Sequence, residues 1–137
     1  MTAPIANTML ASHPRGAGPL PQDLLVECLA KLDECAEACT VCADACLAEP
    51  NPADLATCIR LDMDCADVCA TTARVLARNT GFNAAVSRSL LTACMQVCTS
   101  CAEECERHAP THEHCRICAE ACRRCADACT ALARHVP

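Results

Sequence analysis

The chain has 137 residues, the length of one domain, with a formal net charge of −6, one Phe and no Trp or Tyr. An acidic chain with almost no aromatic side chains lacks the basic patches and stacking surfaces that nucleic acid needs, and no apolar run approaches the roughly 20 residues of a membrane span. Seventeen cysteines, against a single Phe, are far above ordinary usage and must supply much of a core that large side chains cannot fill.

Residues 1–20 are punctuated by Pro4, Pro14, Gly16, Gly18 and Pro19 and read as a flexible or short-helical arm, with Ile5 to Ala11 able to form a short helix. The stretch lacks the early basic patch and the apolar run of about 7–15 residues that mark a secretory signal. The expected location is therefore the cytoplasm. There thiols stay reduced, so dense cysteine points to metal or redox chemistry, not a disulfide frame. An odd number of cysteines agrees.

Residues 21–137 read as an all-α unit, because they are rich in Ala and poor in Gly and in β-branched runs. The first helix, about 22–48, opens at Pro21 and Asp23 and is broken by Glu49-Pro50-Asn51-Pro52. It carries Cys28, Cys35, Cys39, Cys42 and Cys46. The second, about 53–78, carries Cys58, Cys65 and Cys69 and stops at Asn79-Thr80-Gly81 in the manner of a C-cap. The third, about 83–108, carries Cys94, Cys98, Cys101 and Cys105. Ala109-Pro110-Thr111 interrupts it, with Thr111 as the expected N-cap of the fourth, about 111–135, which carries Cys115, Cys118, Cys122, Cys125 and Cys129. Equal helices with short connections predict an antiparallel up-down-up-down four-helix bundle.

Every cysteine spacing within a helix is 3, 4 or 7, so all 17 fall on the two inward heptad positions. Chance would do this with a probability on the order of 10⁻⁷, taking two inward positions in seven. A twelve-residue stretch, Cys35 to Cys46, recurs at Cys118 to Cys129 with two changes. Leu32, Leu61, Leu76, Leu91 and Leu132 share the inward stripes. Charged residues such as Asp33, Glu34, Asp44, Glu103, Glu120, Arg123, Arg124 and Asp127 lie outward and read as a solvated face. A buried Cys can act as a small hydrophobe. Seventeen of them bury less area than leucines would, at roughly 25 cal/mol per Å², so folding alone does not favour the exchange.

Soft thiolates select Cu(I), Zn(II) or iron–sulfur clusters. Zinc favours closed sites of four ligands, and clusters use wrapping loops. A continuous lattice of thiols along a tube suits Cu(I), which two or three sulfurs satisfy and which bridging thiolates can share. On the order of one Cu(I) per Cys then leaves the filled core near neutral. Seven Cys-x-x-x-Cys pairs, such as Cys35/Cys39, place two sulfurs on one helix face. The alternatives are a zinc or mixed-metal buffer of metallothionein type and an iron–sulfur or thiol redox protein. No lone activated Cys beside a base, nucleotide loop or substrate cleft marks an enzyme.

With these 17 cysteines, above all Cys35 to Cys46 and Cys115 to Cys129, the chain resembles the bacterial copper storage proteins, in particular their cytosolic branch, over about residues 21 to 136. The resemblance implies a Cys-lined four-helix bundle that assembles as a homotetramer and holds many Cu(I) ions. A copper chaperone or a recipient cuproenzyme would be its partner.

Antiparallel topology puts Cys46, Cys58, Cys105 and Cys115 at one end, with His108, His112 and His114 beside them. Leu24, Leu25, Val75, Leu76, Val86, Leu90, Leu91, Leu132 and Val136 gather at the other. The first reads as a mouth and the second as an apolar plug. The resemblance agrees, since cytosolic members carry His at the open end. Asp62, four residues after Cys58, is a further candidate ligand beside the inward stripe. Met63 and Met95 are thioethers on helices, where packing is the commoner role.

Overall fold

A computed structural model describes residues 5–137; the start of the expected arm, residues 1–4 with Pro4, lies outside the described residues. The described residues form five α-helices and one 3₁₀ turn: α1 (Ile5–Ser12), α2 (Gln22–Leu47), the turn Pro52–Leu55, α3 (Ala56–Leu76), α4 (Ala84–His108) and α5 (Glu113–Ala133). No strand occurs among the described residues.

The helices α2 to α5 form the bundle. Each packs on its neighbours in chain order, and α5 closes the ring against α2. Antiparallel pairing follows from which ends meet: Cys28 near the start of α2 faces Cys129 near the end of α5, and Cys42 near the end of α2 faces Cys115 at the start of α5. At 26 residues, α2 is about 39 Å long.

The inward stripe steps by 3 and 4 in strict alternation. On α2 it runs Leu25, Cys28, Leu32, Cys35, Cys39, Cys42, Cys46, and every one of these is at most 1 % exposed. On α3 it runs Cys58, Asp62, Cys65, Cys69, Thr72, Leu76, all at 0 %. The expected stripe on this helix included Leu61, and the structure corrects it. Leu61 is only partly buried, because the step after Cys58 is four residues and delivers Asp62 to the core. Thr72 occupies the core by the same count.

The ends of the elements differ from the sequence reading in three places. The second bundle helix starts as a 3₁₀ turn, since Pro50 and Pro52 offer no N–H and Asn51 is non-helical (φ −126°, ψ 69°). It stops at Leu76, whose carbonyl accepts from the buried Asn79 side-chain amide at 2.9 Å. The stop is thus a side-chain cap; Gly81, with φ +70°, lies farther on. The N-cap position of α5 belongs to His112 (φ −135°, ψ 108°) and not to Thr111, whose hydroxyl instead donates to the His108 carbonyl at 3.3 Å.

The apolar end is sealed by Leu25, Leu32, Leu76, Leu91 and Leu132, all fully buried. Val86 is not part of this plug; it is 46 % exposed on the first turn of α4. The arm adds to the seal. Leu10 of α1 and Ala17 and Leu20 after it are buried in the same cluster. Gly18 makes the crossing possible. Its φ is +62°, which L side chains resist, and a Cβ there would sit 3.1 Å from Asn79 Cβ. Outside the tube, Arg124 of α5 pairs with Glu34 of α2, and Arg123 with Glu106 of α4. Exposed pairs of this kind add little stability. Among the described residues, no helix is long and apolar enough to cross a membrane.

Candidate metal centre

All 17 cysteines are free and buried, at 1 % exposure or less. Their sulfurs form a continuous net. Cys35 Sγ lies 3.7 Å from Cys65, 3.7 Å from Cys122 and 3.9 Å from Cys98. Cys39 lies 3.6 Å from both Cys118 and Cys122 and 3.9 Å from Cys101. Cys98 meets Cys65 at 3.7 Å and Cys69 at 3.6 Å, and Cys58 meets Cys105 at 3.6 Å. Most of these contacts cross between helices. Of the Cys-x-x-x-Cys pairs, Cys35/Cys39 and Cys65/Cys69 approach within 4.0 Å. The helix-to-helix packing, more than the spacing along one helix, therefore sets which sulfurs share an ion.

Fourfold donor groups overlap. Cys35 and Cys65 belong to one with Cys69 and Cys98 and to another with Cys39 and Cys122; Cys39 and Cys122 join a third with Cys101 and Cys118. A closed zinc site keeps its four ligands to itself. Overlapping groups suit an ion of low coordination number that shares bridging sulfurs.

Proton sharing runs through the net. A hydrogen bond with Cys129, then burial, push the Cys28 thiol up, and the bonds from Cys125 and Cys28 hold Cys129 down. The mouth is mixed: burial is the first cause that raises Cys115 and takes Cys46 to about 11, whereas hydrogen bonds with Cys105 and Cys42 bring Cys58 down to about 3. Copper bound at Cys46 and Cys115 therefore displaces their protons near neutral pH.

Asp62 projects into this net. Its Oδ1 accepts from Cys101 at 3.1 Å, Cys118 at 3.4 Å and Cys105 at 3.5 Å, and its Oδ2 from Cys58 at 3.9 Å. Burial, then the Cys118 and Cys101 thiols, push its carboxyl up to about 10. It is therefore neutral in the metal-free protein. It also completes a donor group with Cys42, Cys46 and Cys58.

The three histidines sit together at the same end, with ring centroids 6.5 Å apart for His108 and His112 and 5.5 Å for His112 and His114. Their roles differ. His114 Nδ1 faces Cys42 Sγ at 3.4 Å and Cys115 Sγ at 3.6 Å, and forms a donor group with Cys42, Cys46 and Cys115. His108 donates from Nε2 to Glu104 at 2.9 Å, and His112 from Nδ1 to Glu49 at 3.0 Å. His108 and His112 also line a cleft of about 150 Å³ with Glu49, Pro50, Asn51, Asp54 and Leu55. Met63 is 55 % exposed on the outer surface. Met95 Sδ lies 3.0 Å from the Thr130 hydroxyl oxygen. Neither thioether joins the sulfur net.

Sequence reasoning passed over three residues. Glu104 is buried at 6 % exposure between Arg107 and His108, and its i,i+3 and i,i+4 partners were visible in the chain. Glu49 approaches two imidazoles, yet it sits in a segment that reads only as a helix breaker. Thr72 lies on the inward stripe once the 3–4 alternation is followed strictly.

Comparisons with known proteins agree with this geometry. The chain is 52% identical to the copper storage protein Ccsp from Streptomyces lividans, solved loaded with 10 copper equivalents; the match has a TM-score of 0.92 and covers 95% of this chain and 98% of that one. A structure of a cytosolic copper storage protein from Streptomyces lividans with five coppers matches at 56% identity and a TM-score of 0.82, covering 84% of this chain and 96% of that one. The Cu(I)-bound copper storage protein BsCsp3 matches at 35% identity and a TM-score of 0.69, covering 77% and 94%. An uncharacterized cysteine-rich protein of Bacillus subtilis, YhjQ, is 35% identical over 71 residues, which span 52% of this chain and 62% of that protein. The family described as copper storage protein matches residues 21–134. With the sulfur-lined four-helix tube and a match across nearly the whole bundle, the chain belongs to the copper storage protein family.

Proposed function

We propose that the protein is a high-capacity cytosolic store for Cu(I), filled to on the order of one ion per cysteine. The observation that carries this reading is the overlap of donor groups among 17 buried, reduced sulfurs. All 17 cysteines act as ligands. Asp62 and His114 add an oxygen and a nitrogen donor at the mouth. Each Cu(I) that binds displaces thiol protons, so the low-dielectric core exchanges neutral thiols for a near-neutral copper–thiolate lattice.

Copper is loaded and released through the histidine end. The Leu25, Leu76, Leu91 and Leu132 plug closes the other. His108 and His112, held by Glu104 and Glu49, receive the ion, and His114 hands it to Cys42 and Cys115. The protein performs no catalysis. It works as a homotetramer and exchanges copper with a chaperone or a recipient cuproenzyme at its mouth.

The test is an anaerobic titration of reduced protein with Cu(I) against a chromogenic chelator. Uptake on the order of one ion per Cys, retained against excess zinc, supports the store. Saturation at one to four ions, or displacement by zinc, refutes it in favour of a chaperone or a zinc buffer. Light scattering of the same sample tests the tetramer.

A further inference from the structure

A helical threonine commonly returns its hydroxyl to the carbonyl one turn back. Three here do so: Thr40 to Ala36 at 2.7 Å, Thr92 to Arg88 at 3.0 Å and Thr130 to Ala126 at 2.8 Å. Thr72 does not. It is fully buried on the inward stripe of α3, and its one hydrogen-bonding partner among the described residues is Cys94 Sγ, 3.1 Å away. That contact crosses from α3 to α4. Cys94 is the last thiol of α4 on the closed side, since the next inward residue toward the plug is the fully buried Leu91. A valine would have the same shape at position 72 and no hydroxyl to desolvate. The hydroxyl is thus unexplained by packing.

We propose that Thr72 is a positioning residue for copper bound at Cys94, on the closed side of the tube: its hydroxyl holds Cys94 Sγ in place and donates a hydrogen bond to that sulfur once it is a copper-bound thiolate. A hydroxyl can serve both states because it accepts and donates. In the metal-free protein the Cys94 thiol donates to Thr72 Oγ1. On loading, Cys94–SH and Cu(I) give Cys94–S–Cu and a proton, which leaves to solvent. The Thr72 O–H then turns about its C–O bond and donates to the sulfur. The hydrogen bond takes one of the three lone pairs of the thiolate sulfur and leaves two for copper.

This inference rests on the storage reading, and one experiment separates the two. The parent, Thr72→Val and Thr72→Ser are filled anaerobically with Cu(I) and then stripped with rising concentrations of a chromogenic Cu(I) chelator. A hydrogen bond to a charged sulfur corresponds to about a tenfold change in affinity. The expected result is that Thr72→Val gives up its most tightly held copper at about tenfold lower chelator activity, while Thr72→Ser behaves as the parent. Should Thr72→Val fail to fold, Thr72→Ala carries the same arm. Coincident curves for parent and Thr72→Val overturn the proposal, and so does equal weakening in Thr72→Val and Thr72→Ser, which would mark a packing role. A parent that saturates at one to four ions overturns the storage reading as well.

Discussion

Replacing Asp62 with Asn separates the stability of the metal-free bundle from its capacity for copper. The folded protein holds the Asp62 carboxyl protonated, with its titration pushed up to about 10 by burial and by Cys118 and Cys101. The unfolded chain ionises the same group in the usual carboxylate range. Between those limits the unfolded state binds fewer protons, so this group makes stability fall as pH rises; its contribution is full below about pH 4 and gone above about pH 10. Near pH 7.5 the gap is about 3.5 pH units, which at about 1.4 kcal/mol each sets an upper value of about 5 kcal/mol. Relaxation around a buried carboxyl reduces this, leaving about 2–5 kcal/mol. Asn has the same shape, is neutral at every pH and still accepts from Cys101. The reduced, metal-free Asp62→Asn protein should therefore be more stable than the parent by about 2–5 kcal/mol near pH 7.5, the advantage shrinking by about 1.4 kcal/mol per unit toward pH 4. The assay is urea unfolding followed by circular dichroism under anaerobic, reducing conditions. Working below about pH 8 keeps the unfolded cysteines mostly protonated. Parallel pH profiles for the two proteins, or a less stable Asn variant at pH 7.5, would refute the reasoning.

Three further outcomes follow from the geometry. His114→Ala removes the nitrogen that faces Cys42 and Cys115, and should weaken the copper bound at the mouth by about tenfold or more without lowering the capacity of the sulfur net, as read by chelator competition. Gly18→Ala places a Cβ 3.1 Å from Asn79 Cβ at φ +62° and should cost about 1–2 kcal/mol; Gly16→Ala, at φ +56° with open space around it, should cost only the backbone part, so thermal melts of the pair isolate the contact. Copper loading should raise the melting temperature, with about 4 kcal/mol gained at a thousandfold excess over the dissociation constant, and stripping the metal with a chelator should return the protein to its metal-free melt.

The fold and most of the site were legible because a heptad writes its core into the spacing. Cysteines at steps of 3, 4 and 7 define one face of each helix whatever the tertiary arrangement, and all 17 are buried. Pro50, Pro52 and Pro110 mark breaks with equal clarity, since proline cannot donate the bonds a helix needs. Boundaries were less legible. The N-cap of α5 falls at His112 and not at Thr111, whose hydroxyl donates to the His108 carbonyl, a competition that no local pattern ranks. Leu61 against Asp62 was a similar ambiguity: both lie one turn beyond Cys58, and apolar preference alone favours the leucine.

What the chain determined by itself was the class of the fold and the inward face of its cysteines, because helical periodicity is a local property. Three matters belonged to the tertiary structure. Packing decided which sulfurs meet, since most contacts under 4 Å cross between helices whose relative rotation spacing does not encode. It decided the character of Asp62, whose carboxyl is pushed up first by burial inside the closed bundle and then by Cys118 of α5 and Cys101 of α4. And it divided the histidines, turning His114 onto sulfur while Glu49 and Glu104, from two different parts of the chain, hold His112 and His108. Each of these depends on groups far apart in sequence, and their distances exist only once the bundle has closed.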